Sequence, residues 1–176
     1  MIVVADSSPV NYLVLIDEID VLAHLFGAVI IPGAVASELG SDDAPDIVRK
    51  WIDDAPNWVR VAEVDESELT ALDESQLHLG ELEALALARR LHADFLILDE
   101  KAARRVAEKH RLTVIGTLGV LEKADEEGLL GDFPTVLERL DDTNFYMGRS
   151  LKDLLLQRHR VRHRLESKPG RELRHR

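Results

Sequence analysis

The sequence predicts an α/β protein built on a parallel sheet covered by helices, with two further helices packed as an appendage at the C-terminal end. Short β-branched and aliphatic runs alternate with amphipathic stretches of helical length, the order that lays strands parallel and buries their faces under helices. The chain has 176 residues, 45% of them hydrophobic, enough for one core and too few for two.

The elements follow in order. Ile2 to Ala5 reads as a strand over 2–5, and Ser7-Ser8-Pro9 opens a helix over 8–16, followed by a helix over 19–25. Val29-Ile30-Ile31 marks a strand over 28–31, Pro32 stands at the start of a helix over 33–39, and Gly40 ends it. Ser41-Asp42-Asp43-Ala44-Pro45 is a loop into a helix around 45–54, before a strand over 58–62 and a helix over 79–91. A strand over 94–98, a helix over 101–110, a strand over 113–115 and a helix over 117–127 that stops before Gly128 complete the alternation. Phe133 to Leu140 and Leu151 to Leu156 are the two appended helices, separated by Asp141-Asp142-Thr143-Asn144.

Composition narrows the functional classes. No stretch approaches the roughly 20 apolar residues that span a bilayer, and Met1 to Asp6 lacks the basic flank of a signal peptide, so a cytoplasmic protein without a membrane partner is expected. There is no cysteine, so a metal must use oxygen or imidazole ligands. The net charge of −11 argues against a general nucleic-acid-coating protein, but residues 157–176 carry eight Lys/Arg against two acids. The chain therefore divides into an acidic domain over 1–156 and a basic tail over 157–176.

Asp6 closes the first strand run, Glu38 follows the second, Glu81 and Glu83 open the helix over 79–91, and Asp99-Glu100 close the run Phe95 to Leu98. Carboxylates at successive strand ends of a parallel sheet converge on the crevice outside those ends. Gathered there, they repel one another and raise each other's pKa unless a cation neutralises them, and carboxylate oxygens suit Mg²⁺ or Mn²⁺. Simpler roles fit each acid singly: Asp6 and Asp99 as helix N-caps, Glu38 as a solvated helix residue, Glu81 as an acid in a first helical turn. Glu81 and Glu83 stand two apart on a helix and cannot share a face, so at most one is a ligand.

In this order the segments Val4 to Pro9, Ile30 to Leu39, Gly80 to Ala88, Leu96 to Arg104, Val114 to Leu121 and Phe145-Tyr146-Met147 resemble the PIN-domain family of metal-dependent ribonucleases, in particular its short prokaryotic VapC-type toxins. The resemblance implies a three-layer α/β/α sandwich with a central parallel sheet, a Mg²⁺ or Mn²⁺ site, and hydrolysis of single-stranded RNA. Asp6 matches the family's first acid, Ser7 its neighbouring hydroxyl and Glu38 its second acid. Glu81, with Glu83 as the alternative, matches the third; Asp99 and Glu100 straddle the fourth, and Thr117 lies where a further polar group sits. Many members carry Asp at the third and fourth positions, and Glu here alters the reach of the side chain. The resemblance also implies a small antitoxin and a homodimer.

The resulting expectation is an endoribonuclease toxin in which Asp6, Glu81 and Asp99 or Glu100 hold the ion and Glu38 orients the attacking water. Arg158, Arg160, Arg162 and Arg164 are expected to contact RNA phosphates. The alternatives are a non-catalytic RNA- or protein-binding module of the same fold and a structure-specific DNA nuclease. No Gly-rich phosphate loop is present, and Asp6 lacks the second Asp of a haloacid-dehalogenase-like phosphotransferase. His159 and His163 have the i, i+4 spacing of metal ligands, but no acid accompanies them in the way a metalloprotease motif demands, so they read as part of the basic segment. With 5% aromatic residues, a base-stacking platform is not expected.

Overall fold

The structure, a computed structural model, describes residues 1–70, 72 and 76–166. Strand β1 (Val3–Ala5) leads to α1 (Ser7–Leu15) and α2 (Val21–Phe26), and β2 (Val29–Pro32) to α3 (Gly33–Leu39) and α4 (Asp46–Asp53). Then come β3 (Val59–Ala62), α5 (Glu66–Thr70), α6 (Leu79–Leu91), β4 (Phe95–Ile97), α7 (Lys101–Lys109), β5 (Val114–Ile115) and α8 (Thr117–Glu126). The C-terminal part is α9 (Phe133–Asp141) and α10 (Arg149–Glu166). The alternation is the one expected, with two differences: α5 has no counterpart in the sequence pattern, and α10 is much longer than Leu151 to Leu156. Because α10 is continuous across 156/157, the expected division between domain and tail falls inside an element.

The five strands form one sheet in the order β3-β2-β1-β4-β5, and every pairing is parallel. Successive strand residues point to opposite faces, and the core divides accordingly. Val3, Ala5, Val29, Ile31 and Ile97 face one layer with the buried residues of α1, α2, α8 and α9, while Val4, Leu96 and Leu98 face the other with those of α6 and α7. Both faces are covered, as a parallel sheet requires, and the architecture is the α/β/α sandwich. Gly128, at φ +68°, turns the chain between α8 and α9 in the left-handed conformation that only glycine adopts without strain. Among the described residues no helix is long and apolar enough to cross a membrane.

Two features of this topology position the site. The chain winds outward from β1 to β2 and β3, then crosses to β4 and β5 on the other side, so the strand order reverses between β1 and β4. Ligand crevices of open α/β sheets lie outside the carboxyl ends of the strands at such a reversal. The register Ala5↔Ile97 brings those ends level, and the Asp6 amide donates to the Ile97 carbonyl at 3.0 Å, extending the ladder by one residue.

Candidate active site

Asp6 is the N-cap residue of α1, yet its side chain makes no capping hydrogen bond. It is only 3% exposed, and its Oδ1 is buried without a partner. Burial is the main reason its pKa rises from 3.8 to about 7; the Ser7 amide opposes the rise, Glu81 and Glu38 add to it by repulsion, and the Ser8 amide opposes it again. A buried carboxyl oxygen without a donor is costly in a folded protein. The Ser7 and Ser8 amides near the carboxyl leave Oδ1 unpartnered, and a cation would satisfy it.

Glu38 and Glu81 reach the same place from two helices. Glu38, in the last turn of α3, is exposed and accepts a hydrogen bond from Ser7 Oγ at 2.6 Å. A Cβ at Gly80 would lie 2.7 Å from Glu38 Oε1, so glycine at the start of α6 is what lets this carboxylate seat beside the helix that carries Glu81. Glu81 is buried; its Oε2 accepts from the His78 amide at 2.9 Å as half of a capping box. One carboxyl oxygen thus fixes the helix start, while the negative charge still acts on Asp6.

Glu83 has another task. Its Oε2 accepts the Ala34 amide at 2.8 Å, joining α6 to the first turn of α3. Glu81 and Glu83 therefore diverge as their spacing requires, with Glu81 on the side of Asp6.

On the β4 side, Asp99 accepts two hydrogen bonds from Thr117, from its amide at 2.8 Å and its hydroxyl at 2.6 Å. Burial raises the Asp99 pKa, against the pull of those two bonds and of Arg104. Thr117 is fully buried at the start of α8, and a Cβ at Gly116 would meet Asp99 Oδ1 at 2.8 Å. Glu100 is exposed and is the N-cap of α7, with a long contact of 3.4 Å from the Ala102 amide. Between the two acids at the end of β4, Asp99 is thus the one held and shielded.

Three residues at this edge did not stand out in the sequence. Tyr12 on α1 has its hydroxyl pKa raised by burial and then by the Asp99 charge, and it lines a cavity of about 250 Å³ with Ser7, Ser8, Asn11 and Glu38. Glu63, immediately after β3, sits against Gly33, where a Cβ would be 2.8 Å from its Oε2, and it lines a second hollow with Glu38 and Glu83. The strand-end rule that selects Asp6 would also have selected Glu63. Arg104 depends on a tertiary approach to Asp99 and carries no comparable local signal.

Of the four expected arginines, Arg158 bonds Glu122, and Arg162 bonds Glu122, Asp125 and Glu126, all on α8. Arg160 and Arg164 are exposed. The other basic residues of the expected tail, Lys168, Arg171, Arg174 and Arg176, lie outside the described residues.

The donor set at the sheet edge is all oxygen, which selects a hard divalent cation. No three of these acids bring oxygens within 4.8 Å of one another; among the described residues only Asp125, His159 and His163 form such a group. An ion held there would therefore take one or two of these carboxylates directly and keep several waters, as Mg²⁺ does elsewhere. The unpartnered Asp6 Oδ1, the repulsion from Glu81 and Glu38 and the oxygen-only donors together fit such an ion.

A family model described as a PIN domain matches residues 2–160. No curated protein and no solved structure matches the chain.

Proposed function

The chain belongs to the PIN-domain family, whose members are generally metal-dependent nucleases, and on that premise we propose that it is an endoribonuclease that hydrolyses single-stranded RNA, acting as the toxin of a type II toxin–antitoxin pair in the cytoplasm. The observation that carries the nuclease reading is Asp6: a buried carboxyl with an unpartnered oxygen at the point where strand order reverses, with two further acids acting on it. Asp6, Glu81 and Asp99 would hold Mg²⁺ or Mn²⁺. When bound, the ion supplies the positive charge that a phosphodiester needs in an acidic groove and makes water more acidic.

The chain's own residues do the rest. Thr117 holds Asp99 through two bonds, so the carboxylate loses little freedom when it takes a ligand. Glu38, exposed and tethered by Ser7, is placed to accept a proton from water at the mouth of the groove. Glu100 remains a further candidate ligand from the solvent side. Phosphate contacts from α10 fall to Arg160 and Arg164, since Arg158 and Arg162 are committed to α8. A small antitoxin that covers the acidic groove and a homodimer complete the reading.

The test compares single-stranded RNA with single-stranded and flapped DNA, each with Mg²⁺, Mn²⁺ or EDTA, for wild type and Asp6→Asn. Metal-dependent RNA cleavage that is lost in Asp6→Asn supports the proposal. Cleavage confined to DNA would make the protein a structure-specific DNA nuclease, and RNA binding without cleavage would make it a non-catalytic module.

A further inference from the structure

We propose a second metal site, for a zinc-type ion, formed by Asp125 of α8 with His159 and His163 of α10. It lies apart from the sheet-edge acids and differs from them in chemistry. Two imidazoles and one carboxylate favour Zn²⁺, Co²⁺ or Ni²⁺, where an all-oxygen set favours Mg²⁺ or Mn²⁺.

The geometry is close to what such an ion requires. Zinc bonds of about 2.0 to 2.1 Å in a tetrahedron set neighbouring donors about 3.3 Å apart. Asp125 Oδ1 stands 2.9 Å from His159 Nδ1 and 3.6 Å from His163 Nε2, and the three donor atoms lie within 4.8 Å of one another. A shift of a few tenths of an ångström would bring both Asp125 distances to that value. The spacing i, i+4 puts both histidines on one face of α10, and their ring centroids are 4.3 Å apart.

The surroundings hold the donors in place as the partners of known metal ligands do. The His159 ring stacks on Phe133 at 5.4 Å, which sets its orientation. Asp125 is only 7% exposed, and Arg162 Nη2 binds its Oδ2 at 2.5 Å, while His159 Nδ1 faces both carboxylate oxygens, at 2.9 Å from Oδ1 and 3.0 Å from Oδ2. With the imidazoles neutral, Glu122, Asp125 and Glu126 outnumber Arg158 and Arg162, so the arginines do not make the site cationic. The half-exposed His163 leaves a path for the ion and a place for water as a fourth ligand. An ion there would clip the C-terminal helix to α8.

The full chain is titrated with Co²⁺, and visible absorption reports imidazole-coordinated cobalt, for wild type, His163→Ala and Asp6→Asn. One such ion per chain is expected in wild type and in Asp6→Asn, with affinity at least about tenfold weaker in His163→Ala. Zn²⁺ should raise the melting temperature of wild type more than that of His163→Ala, while the two melt alike in EDTA. Equal cobalt absorption in wild type and His163→Ala, loss of it in Asp6→Asn alone, or none in any of the three overturns the site.

Discussion

Replacing Asp6 by Asn should make the metal-free protein more stable at neutral pH. Asn keeps the shape and caps a helix about as well as Asp, but it removes the charge that burial and the neighbouring acids disfavour. Each tenfold change in acidity is worth about 1.4 kcal/mol, so moving a carboxyl from 3.8 to about 7 sets a ceiling of about 4 kcal/mol. The sign follows from proton counts. Between about pH 4 and pH 7 the folded state keeps the Asp6 proton and the unfolded state does not, so this group's contribution to stability falls as pH rises and levels off above about 7. The advantage of Asp6→Asn is therefore small near pH 4, grows through that window, and reaches about 2 to 4 kcal/mol at pH 8. Urea unfolding of both proteins in EDTA across pH 4 to 8 measures it. Equal stability at pH 8, or an advantage that does not shrink on acidification, would refute the account of Asp6 as a strained, ion-seeking carboxyl. Added Mg²⁺ or Mn²⁺ should narrow the gap by stabilising wild type more than the variant.

Glu81→Gln should lose most of the cleavage, whereas Glu83→Gln should keep more activity and cost up to about 1 kcal/mol of stability through its weakened bond to the Ala34 amide; paired cleavage and denaturation measurements check the inequality. Gly80→Ala should displace the Glu38 carboxylate, which its Cβ would approach to 2.7 Å, and reduce cleavage more than stability; equal cleavage in the variant would count against a role for Glu38. Removing residues 157–176 should lower the melting temperature, because Asp125 loses Arg162 and His159 and Phe133 loses its stacked ring; a cost of about 2 kcal/mol, or roughly 4 to 8 °C, is expected in thermal unfolding.

The alternation of runs and amphipathic stretches determined the parallel sheet, because strand and helix periods are local properties of the chain. The same logic put Asp6 and Asp99 at one edge, since parallel strands send all their carboxyl ends the same way. The resemblance of the segments around these acids then identified the family. The short helix α5 has too few apolar positions to show a period: none of its residues is buried.

What the tertiary structure decided is which neighbour each side chain meets. Sequence spacing separates Glu81 from Glu83 but cannot say which faces Asp6; that depends on the rotation of α6 against α3, seen in the Glu83 bond to Ala34 and the close approach of Glu38 to Gly80. Arg158 and Arg162 look like free positive charge in a basic run, yet packing of α10 on α8 brings three acids of α8 to them. His159 and His163 have no metalloprotease-type acid in their own segment, and Asp125, 34 residues before His159, stands beside both. Periodicity fixes the face on which a residue lies, whereas contacts between distant segments depend on how packed helices are set against each other, and the local pattern does not encode that.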